Sequence, residues 1–188
     1  MRVYVIRHGE SETNREKRWT GWLDVPLTQQ GRADARKAGE FLKNIRFDRV
    51  YASDLGRAVE TASIAVPGCK YEVSPLLREI NVGSLANTDL SVLTQEQRER
   101  IKACGYAEFD GETEQEFYRR IHQFTKELEG QDCETVALFS HAGWLRGMLN
   151  MVVGTYLPRE RVRCDNCTVA IFEYANGCWR LHSWINLV

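Results

Sequence analysis

Two short stretches place a histidine where it could do chemistry. VIRHGE (residues 5–10) and LFSHAGW (residues 138–144) each run from an apolar segment into a histidine, His8 or His141, and then into a glycine and the start of a loop or helix. An imidazole at the end of a buried strand can act as a nucleophile or as a donor to a bound group. A strand-end histidine standing alone is most often a packing residue. Two in matching settings, one of them preceded by an arginine, point instead to a shared crevice in which Gly9 and Gly143 let backbone and substrate come close. The other two of the four histidines, His122 and His182, lie in a polar helical stretch and in the last strand-like stretch, and read as structural or surface residues.

The arginine names the ligand class. A guanidinium beside His8 presents a planar fork that matches the oxygens of a phosphoryl group, so Arg7 predicts an anion between the two histidines. The helix start after His141, beginning at Ala142, would add backbone N–H groups aimed at the same space. A second arginine, Arg57 in YASDLGRAVETA, sits one turn into a helix that should begin on the same edge. Its ordinary alternative is a surface arginine paired with Asp54 three residues earlier, which would be worth little.

These side chains need a scaffold, and strand-like and helix-like segments alternate along the chain. Val3–Ile6 is the first strand, and Thr28 caps a helix reaching about Ile45. Arg49–Ala52 is the second strand, followed by a helix capped by Asp54, and a short third strand lies near Lys70–Val73. Two helices follow, near Thr94–Ala103 and along ETEQEFYRRIHQFTKELEG, then a strand at Thr135–Phe139 and a helix at Ala142–Val153. The chain closes with a hairpin, TVAIFEYANGCWRLHSWI, turning at Asn176-Gly177, a pair suited to a type I′ turn. The pattern predicts an α/β fold: a mostly parallel central sheet with helices on both faces and a C-terminal antiparallel hairpin. Residues from about 85 to 130 contain no strand and are expected to form a small helical lobe over the sheet edge of a single domain spanning 1–188.

Bulk properties exclude several function classes. The 188 residues are 43% hydrophobic, enough for a real core. With 25 basic and 26 acidic side chains, the net charge of −1 gives no field to recruit nucleic acid or an anionic membrane. No apolar run approaches the roughly 20 residues of a membrane span, and Met1 leads straight into strand-like sequence, so a cytoplasmic protein is expected. The six cysteines are scattered in a chain too large to need disulfide staples. Cys164 and Cys167 form a C-x-x-C, but no second pair completes a zinc site and no redox-type context surrounds it, so loop and strand-edge thiols are expected.

Four stretches, in order, resemble the histidine phosphatase superfamily, the group containing cofactor-dependent phosphoglycerate mutases and many small phosphatases. They are VIRHGESETN, GWLDVPLTQQGRADA, YASDLGRAVETA and ALFSHAGWLRGML, and GETEQEFYRRIHQF is similar to the family's GES-type helix. The resemblance implies that His8 is the nucleophile that becomes phosphorylated, with Arg7, Arg57 and His141 binding the phosphoryl oxygens and Asn14 a further phosphate contact. It makes Glu79, in LLREINVG, the acid that protonates the leaving oxygen and later draws a proton from water. No metal and no other cofactor is implied, since arginines and backbone donors do the work of Mg²⁺ elsewhere. The expected partner is a small phosphorylated substrate; oligomeric state is not readable.

The match departs from the family in one place. NVGSLANT keeps Gly83 but carries Leu85 and Asn87 where relatives have tryptophan and a second glycine, which changes the pocket wall while an asparagine can keep the turn. WTGWLDVPLT is closest to the mutase form of its motif and makes Thr20 and Gly21 candidate contacts to a substrate oxygen or carboxylate. Against a mutase, the chain is short and lacks the long insertion after the acidic residue, so a metal-independent phosphatase is the preferred reading. The alternatives are a phosphoglycerate mutase, a non-catalytic phosphate-binding module, and a metal-dependent hydrolase using His8, Glu10, Glu12 and His141.

Overall fold

The computed structural model describes residues 1–188. Strand β1 (Arg2–Arg7) occupies the middle of a six-stranded sheet because four consecutive side chains, Val3–Ile6, are all apolar and all buried. The other strands are β2 (Arg49–Ala52), β3 (Glu72–Val73), β4 (Thr135–Ser140), β5 (Val169–Ala175) and β6 (Cys178–Ile185). Their order is β3-β2-β4-β1-β5-β6. The first four run parallel and the final pair antiparallel, as the sequence pattern predicts. Asn176 and Gly177 both take positive φ, 54° and 73°, at the β5–β6 turn.

Successive residues of a strand point to opposite faces, so one strand feeds two cores. Tyr4 and Ile6 pack with Val50, Ala52, Ala137 and Phe139 against helices α2 (Gln29–Leu42) and α3 (Gly56–Ala65). Val3 and Val5 pack on the other side, where α5 (Glu114–Glu129) contributes Phe117, Ile121, Phe124 and Leu128, and α6 (Ala142–Val153) contributes Trp144, Leu145, Met148 and Leu149. Helix α4 (Gln95–Cys104) joins neither face; Ile101 packs with Val82, Leu85 and Leu93 in a small separate cluster. No helix is long and apolar enough to cross a membrane.

Local details differ from expectation for identifiable reasons. The third helix is not capped by Asp54. It begins at Gly56 behind Leu55, and its Gly56 N–H donates to Asp24, 2.8 Å away and from a loop distant in sequence. Asp54 instead takes both ends of the Arg78 fork at 2.8 and 2.6 Å. Thr28 does cap α2, accepting from Gly31 N–H at 3.0 Å, but the helix ends at Leu42 rather than Ile45. A single-turn helix, α1 (Glu12–Arg15), and three 3₁₀ turns (Pro75–Leu77, Gly83–Leu85 and Ala107–Phe109) are too short to leave a periodic signal.

Candidate active site

The carboxyl ends of β1, β2 and β4 open onto one crevice. Arg7 closes β1 and His8 follows it, its backbone N–H held by Ser140 O at 2.9 Å, so the sheet carries both residues into place. Two contacts set the His8 tautomer. Nδ1 lies 2.7 Å from Gly9 O, a group that can only accept, so Nδ1 bears the proton. Nε2 lies 3.3 Å from Arg57 Nε, a group that can only donate, so Nε2 presents its lone pair.

His141, the residue before α6, stacks edge-on against His8 with ring centroids 5.0 Å apart. Both rings are buried, and neither nitrogen of His141 has a hydrogen-bond partner. Burial, reinforced by Arg57, holds both imidazoles well below their ordinary value of 6.5. His8 is therefore neutral at physiological pH, with its Nε2 electron pair facing the Arg57 Nε–H. The unsatisfied nitrogens of His141 are costly unless a ligand answers them.

Arg57 is fully buried, not the surface residue paired with Asp54 that was its ordinary alternative. Its Nη1 donates to Leu23 O and its Nη2 to Gly21 O, both at 2.8 Å. Burial pulls its pKa down to about 10, which leaves it charged at neutral pH. Arg7 donates from Nη1 to Cys164 O at 2.6 Å and from Nη2 to Asn14 Oδ1 at 3.5 Å, while its buried Nε has no partner. Neither arginine makes an ion pair.

Glu79 reaches the same crevice from the loop after β3. Its Oε1 accepts from Ile80 N–H at 2.9 Å and its Oε2 from Gly143 N–H at 3.1 Å, which seats the carboxylate on the first turn of α6. The two glycines expected to admit substrate have other duties. A Cβ on Gly143 would come within 2.0 Å of Glu79 Oε1, so its bare backbone makes room for that carboxylate. A Cβ on Gly9 would meet Gly31 O at 2.2 Å, so Gly9 lets the His8 loop press onto the start of α2.

The remaining candidates ring this group. Asn14 Oδ1 accepts from Ser11 N–H at 3.3 Å and from Asn166 Nδ2 at 3.1 Å. Thr20 pairs its hydroxyl with Thr13 at 2.7 Å, and Gly21 spends its carbonyl on Arg57. Ala142 is half-buried at the first position of α6. Asn87 keeps the left-handed turn, with φ at 64° and its N–H donating to Trp19 O at 2.7 Å, and Leu85 is buried against Val82 and Leu93. Glu10 turns away to accept from the Thr28 hydroxyl at 2.6 Å, and no group of three or more His, Cys, Asp or Glu side chains forms a metal-binding cluster.

Sequence reasoning missed several supporting residues. Thr61 accepts from Gly9 N–H at 3.0 Å and donates to Arg57 O at 2.7 Å, bracing the His8 loop on α3. Asn166 also donates to His8 O at 3.1 Å. The C-x-x-C around it drew attention to sulfur, whereas the useful atoms are the backbone ones: Cys164 O binds Arg7, and Cys167 N–H donates to His8 O at 3.3 Å. Burial raises both thiols, Cys167 to about 12, so neither is a ready thiolate. Arg120, on α5, grips the Glu79 loop; its only signal is its place beside the apolar stripe of Phe117, Ile121 and Phe124.

Fold and side chains together define an α/β protein with two histidines and two arginines gathered at the carboxyl edge of its parallel strands. The chain belongs to the histidine phosphatase superfamily (branch 1), whose family model matches residues 3–187. It is 30% identical to a Salmonella arizonae protein named "Probable phosphoglycerate mutase GpmB", over 98% of this chain and 90% of that one. A crystal structure of phosphoglycerate mutase from Thermus thermophilus superposes with a TM-score of 0.77 at 29% identity, covering 99% of both chains. An Escherichia coli structure, named as a candidate alpha-ribazole-5'-P phosphatase, gives 0.85 at 26% identity, covering 100% of this chain and 98% of the other.

Proposed function

We propose that this protein is a metal-independent phosphatase that hydrolyses small phosphorylated metabolites through a phosphohistidine on His8. One observation carries the reading: a neutral, buried His8 shows its Nε2 lone pair to a space bordered by Arg57, Arg7 and His141, and the latter two have buried nitrogens without acceptors. A phosphoryl group supplies what each lacks. Its oxygens accept from Arg7, Arg57 and His141, and the Arg57 Nε–H moves from Nε2 to an oxygen, freeing the lone pair.

In the first step Nε2 attacks phosphorus. The N–P bond forms as the P–O bond to the leaving group breaks, and the leaving oxygen takes a proton from the Glu79 carboxyl. In the second step a water oxygen attacks the phosphohistidine, gives its proton to the Glu79 carboxylate, and the N–P bond breaks to release inorganic phosphate. The sum is ester plus water to alcohol plus phosphate. A second reading, a phosphoglycerate mutase, is favoured by the GWLDVPLT stretch and by the names of two of the relatives.

The test is hydrolysis of p-nitrophenyl phosphate and of a panel of phosphoglycerates, sugar phosphates, nucleotide-derived esters and α-ribazole phosphate, with excess EDTA. Turnover, together with an acid-labile phosphoenzyme that His8→Ala abolishes, is expected. No turnover of any ester sinks the proposal. Interconversion of phosphoglycerates that depends on 2,3-bisphosphoglycerate and outpaces hydrolysis would replace it with the mutase.

A further inference from the structure

Glu79 can protonate a leaving group only if its carboxylate is held still, yet it lies in a segment with almost no regular structure. Between β3 and α4 the backbone around it forms only single 3₁₀ turns, leaving a run of carbonyls without ladder partners. Arg120 answers them from α5. Its Nη1 donates to Leu76 O at 3.0 Å and Arg78 O at 2.6 Å, and its Nη2 to Glu79 O at 2.7 Å. Its Nε and Nη2 also donate to the two oxygens of Glu112, at 2.7 and 3.0 Å. All five N–H groups of the guanidinium are engaged.

Glu112 completes the clamp from the other side. Its Oε2 accepts from Asn81 N–H at 2.8 Å, and its backbone N–H donates to Asn81 O at 2.9 Å. Phe117 lies under the guanidinium, 4.7 Å from ring centre to Cζ, and the Trp22 indole donates to Glu79 O at 2.7 Å. The Arg120 and Glu112 side chains are only 10% and 13% exposed. An ion pair so far out of water returns little net stability, because desolvation offsets the attraction. What it does supply is direction: a rigid fork fixes three carbonyls, and with them the backbone from which the Glu79 side chain springs.

We propose that Arg120, backed by Glu112, is a positioning residue that holds the Glu79 carboxylate for proton transfer and so sets how basic a leaving group the enzyme can expel. The inference rests on the phosphatase reading and deepens it. A lysine at position 120 keeps the charge that His141 feels but cannot reach three carbonyls and a carboxylate at once.

The experiment compares an alkyl ester, glycerol 2-phosphate, whose leaving group needs a proton, with p-nitrophenyl phosphate, whose leaving group does not. It uses the wild type, Arg120→Lys, Glu79→Gln and the double variant. Because general acid catalysis is worth about 10²- to 10⁴-fold, Arg120→Lys should lower kcat/KM by about 30-fold on the alkyl ester and by less than about 3-fold on the aryl ester. In the Glu79→Gln background the same change should cost less than about 2-fold, since residues acting through one group are non-additive. Glu112→Gln keeps the three carbonyl bonds, so it should show the same ester selectivity at smaller size and serves if Arg120→Lys fails to fold. Equal losses on both esters, or losses that add to Glu79→Gln, overturn the proposal. A wild type that forms no phosphoenzyme and turns over neither ester overturns instead the function on which it rests.

Discussion

The two buried histidines should make the protein acid-sensitive in a defined window. In the unfolded chain each ring takes a proton as pH falls through 6.5; in the folded protein burial and Arg57 hold both values well below that. The unfolded state therefore binds more protons in this range, and stability rises with pH. The contribution is fully present above about 6.5 and is lost progressively on acidification toward the depressed folded values. From about pH 7.5 to about pH 5.5 one such group loses about 1.4 kcal/mol, and the pair about 2.7 kcal/mol. Asp48, Asp89, Glu116, Glu129 and Glu173 are held below their ordinary carboxylate values, so their losses begin at lower pH. Urea denaturation at those two pH values, in buffer free of phosphate, measures the effect. The wild type should lose about 2 to 3 kcal/mol, and the His8→Asn/His141→Asn double variant less than about 1 kcal/mol. Equal losses in the two proteins would refute the claim that these rings stay neutral because they are buried beside arginines.

Gly143→Ala puts a methyl 2.0 Å from Glu79 Oε1, but a carboxylate end can swing away. Thermal melting should show stability unchanged or higher by up to about 1 kcal/mol from helix propensity, while kcat/KM for an alkyl ester falls by about 10²-fold; full activity would refute the placement of Glu79. Gly31→Ala puts a methyl 2.1 Å from Glu10 O and 2.7 Å from Glu10 N, backbone atoms that cannot rotate aside. Urea denaturation should show a loss of about 1 to 3 kcal/mol. Arg57→Lys cannot bond Leu23 O, Gly21 O and the site together, so inhibition by inorganic phosphate should weaken by about tenfold, worth about 1.4 kcal/mol.

What was legible in the sequence was whatever short-range pattern records. The uninterrupted run Val3–Ile6 marks a central strand, Asn176-Gly177 marks a hairpin turn, and the two strand-histidine-glycine stretches do end on one crevice, with rings 5.0 Å apart. Contacts between distant residues were not legible. Asp24 caps α3 from 32 residues away, a role that local reasoning gave to the nearest carboxylate, Asp54. Gly9 and Gly143 stood out as permissive backbone, but what fills the permitted space, Gly31 in one case and Glu79 in the other, depends on packing alone. Arg120 was hidden for the same reason. Its five bonds reach Glu112, eight residues back, and carbonyls more than 40 residues back, and only its place beside the apolar stripe separates it from the exposed Arg119.

The same contrast explains how the crevice stays charged. A buried guanidinium is ordinarily tolerated beside a carboxylate, which would cancel its field. Arg57 is held instead by two backbone carbonyls and Arg7 by one, together with the amide oxygen of Asn14. Neutral acceptors fix where a guanidinium points and offset part of its desolvation while leaving its net positive charge intact. The carboxylate that does enter, Glu79, is tied to the Ile80 and Gly143 amides rather than to either arginine. Two cations thus stay unpaired, and burial, reinforced by their field, keeps His8 unprotonated beside them. A carboxylate introduced within ion-pair reach of Arg7 or Arg57 would relieve the buried charge and, by the same stroke, remove the attraction for phosphate on which the proposed function depends.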